Sequence, residues 1–161
     1  MAECWICDEN ARQSSGPCDG AVAELETGFV RLHRRQRYRG QTFFASKACV
    51  REFYHLEPAV QARHLRELAR VSAAVDAAFS PQKLNIESLG NGVPHLHWWI
   101  TPRYADDPRP RSPIWENLDW LRDMWVDEPA MVPADGLEAD ARLLRAQLTL
   151  ERSEQRANGY Q

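Results

Sequence analysis

The run Asn91-Gly92-Val93-Pro94-His95-Leu96-His97-Trp98-Trp99-Ile100-Thr101-Pro102-Arg103 constrains the fold more than any other part of the chain. It is rich in β-branched and aromatic residues and bounded by Gly and Pro, which predicts a strand over His95–Thr101. Alternate strand residues share a face. His95, His97, Trp99 and Thr101 are therefore expected on one side, and Leu96, Trp98 and Ile100 on the other. Two imidazoles roughly 6–7 Å apart on one sheet face suit metal binding, nucleophilic attack or acid–base chemistry. Taken alone, a His-x-His pair reads as two hydrogen-bonded histidines in a partly buried sheet.

Strands are also expected at Ala21–Leu25 and Phe29–His33, around a turn at Glu26-Thr27-Gly28, then at Gln41–Ser46 and Lys83–Ser88. Val60, His64, Leu65, Leu68, Val71, Val75 and Phe79 recur at helical spacing, so the spacing predicts a helix over Pro58–Phe79, closed by Pro81. Residues before Gly20 drift into a polar loop, Gln13-Ser14-Ser15-Gly16-Pro17. Beyond Arg103 the prolines of the 106–113 stretch exclude a regular element. Ile114–Val126 reads as a short helix, and Leu137–Arg156 as a C-terminal helix with Leu137, Ala141, Leu144 and Leu148 on one face. Three strands, a long helix, two strands and a helical tail indicate an α+β domain with a five-stranded antiparallel sheet. The expected division is a domain over 1–104 and an extension over 105–161 packed on it.

A chain of 161 residues can bury one core unaided. Its net charge of −3 speaks against nucleic acid and anionic membranes as partners. No apolar stretch approaches a membrane span, and Met1–Trp5 lacks a basic leader, so the expected location is cytoplasmic. The four cysteines are then thiols or metal ligands rather than disulfides.

The strand His95-Leu96-His97-Trp98-Trp99-Ile100-Thr101-Pro102-Arg103 resembles the signature His-x-His-x-His strand of the histidine triad (HIT) superfamily. Cys4-x-x-Cys7 resembles the pair that opens many bacterial members, as in the dinucleoside polyphosphate hydrolase-like branch. Gly40-Gln41-Thr42-Phe43-Phe44-Ala45-Ser46-Lys47 is similar to the family's Gly-His-Thr-Leu-x-x-Pro-Lys strand, and Leu84-Asn85 precedes a Gly-rich turn as in the family. The resemblance spans roughly Cys4 to Tyr104.

It implies a five-stranded antiparallel sheet with the helix between strands three and four, paired into a homodimer. It also implies a nucleotidyl hydrolase acting on a dinucleoside polyphosphate or nucleotidyl conjugate. The middle histidine, His97 here, would attack the α-phosphate and form a covalent nucleotidyl-histidine that water resolves. Asn85 and Asn91 resemble asparagine or glutamine residues that contact phosphate, and Arg103 is a further substrate-binding candidate. Asn91 can equally be a turn residue. The cluster Arg34, Arg35, Arg37 and Arg39 reads as a solvated loop that could attract a polyanion.

The third triad position departs from the pattern. Trp99 can donate a hydrogen bond but cannot relay a proton. The expected substrate therefore has a leaving group that departs unprotonated. The alternatives are a nucleotidyltransferase or phosphorylase of the same fold, and a catalytically quiet, zinc-stabilised nucleotide-binding module.

In bacterial members the Cys-x-x-Cys, a histidine after the Pro-Lys strand and the first triad histidine hold a structural zinc. The resemblance thus implies zinc on Cys4, Cys7, Cys49 and His95, with Cys49 where the family commonly has histidine. Cys18, His33 and His55 are spare candidates, and His64 is a core or helix-surface residue. Trp98 is expected in the core. Trp115, Trp120 and Trp125 could cover the sheet, cover a dimer seam or wall a base pocket.

Overall fold

The strand that comes last in the sequence lies inside the sheet. In the computed structural model, which describes residues 4–107, 109–117 and 133–157, five antiparallel strands run in the order β1-β2-β3-β5-β4. They are β1 (Ala21–Glu24), β2 (Gly28–Leu32), β3 (Thr42–Ser46), β4 (Lys83–Glu87) and β5 (His97–Arg103). β5 is paired on both edges, opposing Ala45 with His97 and Phe43 with Trp99 on β3, and Glu87 with Trp99 on β4. This placement gives the histidine strand two neighbours that fix its register.

The pleat divides the sheet into two faces. Val22, Val30, Leu32, Phe44 and Ile100 form one core with Leu68, Val71, Val75 and Phe79 of α2 (Pro58–Phe79). The C-terminal helix α3 (Ala134–Ala157) adds Leu137, Ala141, Leu144 and Leu148 to the same core. The opposite face carries Phe43 and Ala45 beneath Ile6, with Val93 and Trp99 packed alongside.

Pro58 supplies the N-terminal turn of α2, and Ser80 ends it in the left-handed region at φ 50°. The expected bounds of α2 and the buried stripe of α3 are as the sequence indicates. At Gly40 (φ +83°) a Cβ would lie 2.4 Å from the Phe79 ring, so the turn into β3 requires glycine.

Two expectations need correction. Residues Trp5–Ser15 form a helix, α1, rather than drifting into a loop. Only Ile6 and Asn10 are buried in it, so it shows no apolar stripe. Polar contacts dock it instead: Asn10 Nδ2 donates to Ser46 O (3.0 Å), and Gln13 Nε2 donates to Ala23 O and Val30 O (both 3.1 Å). Second, β5 begins at His97, not His95. His95 N donates to Val93 O within a tight turn, and Leu96 N donates to Val50 O in the segment after β3, outside the strand ladder. Of the expected helix Ile114–Val126, the described part, Ile114–Asn117, is a short 3-10 helix. The rest of the expected helix to Val126, with Trp120 and Trp125, and the side chain of Trp115 lie outside the described residues.

A buried polar network ties α2 to the sheet. His64, fully buried, stacks on Phe44 and accepts at Nε2 from Trp98 Nε1 (3.0 Å). Its Nδ1 pairs with Thr27 Oγ1 (2.8 Å), and Glu67 accepts from the N–H groups of Glu26 and Thr27. Burial pushes the His64 pKa down to about 4, against a smaller opposing pull from Glu67. The unfolded chain therefore takes up this proton first. The stabilisation is complete above the ordinary value of 6.5 and is lost as the pH falls towards about 4. Urea unfolding should show a loss on the order of 3 kcal/mol across that window from this group. His64→Gln should flatten that slope, and identical slopes for the two proteins would contradict the assignment.

Candidate functional site

His97 is the first residue of β5 and sits between two rings. It stacks on Phe43 (centroids 4.8 Å, 26°) and meets Trp99 edge-on (6.3 Å, 82°). Its Nδ1 lies 2.6 Å from the carbonyl oxygen of His95. A carbonyl can only accept, so Nδ1 carries the proton and Nε2 keeps its lone pair. Burial lowers the His97 pKa, with the backbone carbonyls of His95 and Leu89 opposing that shift. The ring is thus neutral near pH 7, with Nε2 available as a nucleophile.

A cleft of about 520 Å³ opens beside this ring. Its walls come from five parts of the chain. α1 gives Trp5, β3 and the residue before it give Phe43 and Gln41, β4 and the residue after its neighbour Ser88 give Glu87 and Leu89, and the turn before β5 gives Asn91, Gly92 and Val93. His97, Trp99 and Thr101 of β5 form the floor, and Ile114 closes one side. Trp5 lies over Phe43 at 6.2 Å and is half exposed. Among the described residues no lysine or arginine lines the cleft, and His97 and Glu87 are its titratable groups. Such a volume and apolar lining suit a nucleoside-sized ligand held by a few polar atoms.

Of the residues singled out in the sequence, His97, Trp99 and Asn91 are brought together here. Asn85 and Arg103 are not among the lining residues. The Arg103 guanidinium is buried and donates to Asp107 (2.7 Å), Asn85 Oδ1 (2.9 Å), Arg109 O (2.8 Å) and Ser112 O (2.9 Å). It also lies over the Tyr38 ring (5.2 Å). The pair thus clamps the proline-rich segment that carries Ile114 to the cleft.

In the basic loop, Arg34 meets Asp19 and Arg39 meets Asp140 of α3. Sequence reasoning placed Thr101 on the histidine face but missed Trp5, Gln41, Glu87 and Ile114. Alternation on β4 would have placed Glu87 on the histidine face had its register been known. Nothing in the sequence signals Ile114.

Behind the cleft, one donor atom from each of Cys4, Cys7, Cys49 and His95 lies within 4.8 Å of the others, so these four residues could hold a metal ion. His95 Nδ1 is 3.3 Å from Cys4 Sγ and 3.5 Å from Cys7 Sγ. Such separations match the edge of a tetrahedron with metal–sulfur and metal–nitrogen bonds of about 2.3 and 2.0 Å. The other ring nitrogen, Nε2, donates to Ser46 O (2.8 Å), which orients the imidazole as metal-binding histidines are usually oriented. Burial raises the Cys4 thiol, but hydrogen bonds from Cys7, Ile6 and Cys49 outweigh it and lower its pKa. Burial, together with the neighbouring Cys49 and Cys4, pushes Cys7 up to about 12.

The spare ligand candidates lie elsewhere. His33 bonds Arg35 O and meets Trp99 edge-on, while His55 caps the 3-10 turn at Phe53–His55. Cys18 is outside the cluster. His64 is a core residue.

The HIT domain model matches residues 19–106. No curated protein matches the chain. Solved structures similar to it include a histidine triad protein of Bradyrhizobium japonicum, 24% identical, covering 86% of this chain and 95% of that one with a TM-score of 0.65. A histidine triad protein of Sinorhizobium meliloti is 21% identical over 87% of this chain and 93% of its own, TM-score 0.66. A zinc-bound histidine triad family protein of Mycobacterium smegmatis is 22% identical over 92% and 96%, TM-score 0.63. At these identities the likeness is one of fold, and with the matched domain it leads to one conclusion: the chain belongs to the HIT domain family.

Proposed function

We propose that the protein is a nucleotidyl hydrolase that cleaves a dinucleoside polyphosphate or nucleotidyl conjugate at the α-phosphate through a covalent nucleotidyl-His97. The observation that carries this reading is the bond from His97 Nδ1 to His95 O, which leaves Nε2 unprotonated in a ring lining the cleft. In the first step Nε2 attacks phosphorus and the leaving group departs with the electron pair of the broken P–O bond. In the second, water displaces the histidine and releases the nucleoside monophosphate.

With no cation lining the cleft among the described residues, the phosphate oxygens would be met by neutral donors: Asn91, backbone N–H groups of the Gly90–Gly92 turn and the Trp99 indole. Trp5, Phe43 and Trp99 offer faces for a base. The reading extends to a cytoplasmic homodimer, as the resemblance implies. No helix among the described residues is long and apolar enough to cross a membrane.

The metal on Cys4, Cys7, Cys49 and His95 is proposed to be zinc, the metal carried by the Mycobacterium smegmatis relative. Thiolate and imidazole donors suit it, and four protein ligands leave no open position for catalysis. Its part would be to fix the N-terminus and His95, whose carbonyl sets the tautomer of His97. Metal analysis should find one zinc per chain. Chelation should lower the melting temperature by about 5 °C or more, equivalent to about 2 kcal/mol in a chain of this size. Unchanged melting after the metal is removed would contradict a structural role.

The direct test is AMP release from diadenosine polyphosphates followed by chromatography. His97→Ala should abolish release while retaining nucleotide binding. Release undiminished in that variant would overturn the mechanism, and binding without turnover in the wild type would favour the quiet module. A second comparison probes Trp99. A nucleoside phosphate leaves without a proton and an amine does not, so a dinucleoside polyphosphate should turn over faster than a nucleoside phosphoramidate. The reverse order would contradict that account.

A further inference from the structure

The water that resolves a nucleotidyl-histidine must lose a proton, and the third triad position, next along the cleft face from His97, holds an indole. Trp99 has no lone pair to offer. His97 is itself the group being displaced. Among the described residues that line the cleft, that leaves one side chain able to accept a proton, Glu87.

Its placement follows from the sheet. Glu87 is the last residue of β4 and pairs with Trp99, so it stands beside the indole on the cleft face, diagonally across from His97. Diagonal neighbours of an antiparallel pair are separated by about 7 Å between Cβ atoms, which leaves room for a phosphoryl group and a water molecule. The pleat gives the opposite face to Leu84, which packs against the α2 core, and to half-exposed Ile86. No ion pair or hydrogen bond among the described residues engages the Glu87 carboxylate. Partial burial raises its pKa, with Arg103 opposing, which brings it towards the range useful for a base.

We propose that Glu87 is the general base of the second step, taking the proton from the water that attacks nucleotidyl-His97. The proposal rests on the nucleotidyl-transfer reading above. The O–H bond of water breaks and its proton passes to the carboxylate. A new P–O bond forms as the P–Nε2 bond breaks, and that electron pair returns to Nε2. Nδ1 keeps its proton on the His95 carbonyl throughout, and Glu87 then gives its proton to solvent. The first step needs no base, because Nε2 is already unprotonated. Glu87 therefore distinguishes the two halves of the reaction.

The test uses the zinc-loaded full chain as wild type, Glu87→Gln and Glu87→Asp, with whichever dinucleoside polyphosphate the wild type turns over. Rapid quenching measures first-turnover loss of substrate, and intact-protein mass under alkaline conditions measures the nucleotidyl adduct. In Glu87→Gln the first turnover should stay within about threefold, while steady-state release falls about a hundredfold to a thousandfold and adduct accumulates. Glu87→Asp should retain part of the rate. Fluoride, a nucleophile with no proton to lose, should restore release from the Glu87→Gln adduct.

Steady-state turnover unchanged in Glu87→Gln would overturn the proposal. So would equal loss of both phases, or an adduct that fluoride does not discharge. If the wild type forms neither adduct nor monophosphate from any substrate offered, the nucleotidyl-transfer reading itself falls. The Glu87 result is thereby separable from it.

Discussion

Three bonds made by one residue organise the site. His95 directs Nδ1 towards the thiols of Cys4 and Cys7, donates Nε2 to Ser46 O, and offers its carbonyl to Nδ1 of His97. Because the ring is fully buried, each polar atom needs a partner. The cysteines join α1 and the segment after β3 to the same residue. The nitrogen that would attack phosphorus is thus defined by a peptide carbonyl whose position depends on the thiol cluster behind it. Loss of the cluster would disturb the nucleophile without touching it.

The cleft divides its chemistry between its walls. Aromatic rings give it shape, and with no lining cation among the described residues a phosphate of the proposed substrate would be met by neutral donors. A positive guanidinium is close by, but Arg103 is committed to Asp107, Asn85 and two carbonyls. What it contributes is the position of the segment bearing Ile114, which lies beyond the matched domain of residues 19–106. The lining of the cleft is thus shared between the matched domain and the chain that follows it. α3 has the separate task of covering the far side of the sheet with Leu137, Ala141, Leu144 and Leu148.

Much of this was legible in the sequence, because strong periodicity survives folding. The apolar stripe of Pro58–Phe79 gives α2 its bounds, and the alternation of His97, Trp99 and Thr101 is the alternation of the cleft floor. The four proposed metal ligands converge from three separated segments, a set that came from family resemblance rather than from spacing. Features that depend on register or on polar docking were hidden. α1 is held by Asn10 and Gln13 reaching backbone carbonyls, which leaves no hydrophobic pattern to read. Asn85 shares the cleft face of β4 with Glu87, yet it is taken up by Arg103 while Glu87 reaches the cleft. That choice depends on which residue of β4 stands opposite Trp99.

The claim on which the rest depends is that the metal-anchored His95 carbonyl holds His97 in one tautomer. Long-range ¹H–¹⁵N NMR of the histidine rings reads this directly in the zinc-loaded protein. The account predicts a protonated Nδ1 and an unprotonated Nε2 on His97 near neutral pH, with the preference lost when the metal is removed. A proton resting on Nε2 in the loaded protein would contradict it.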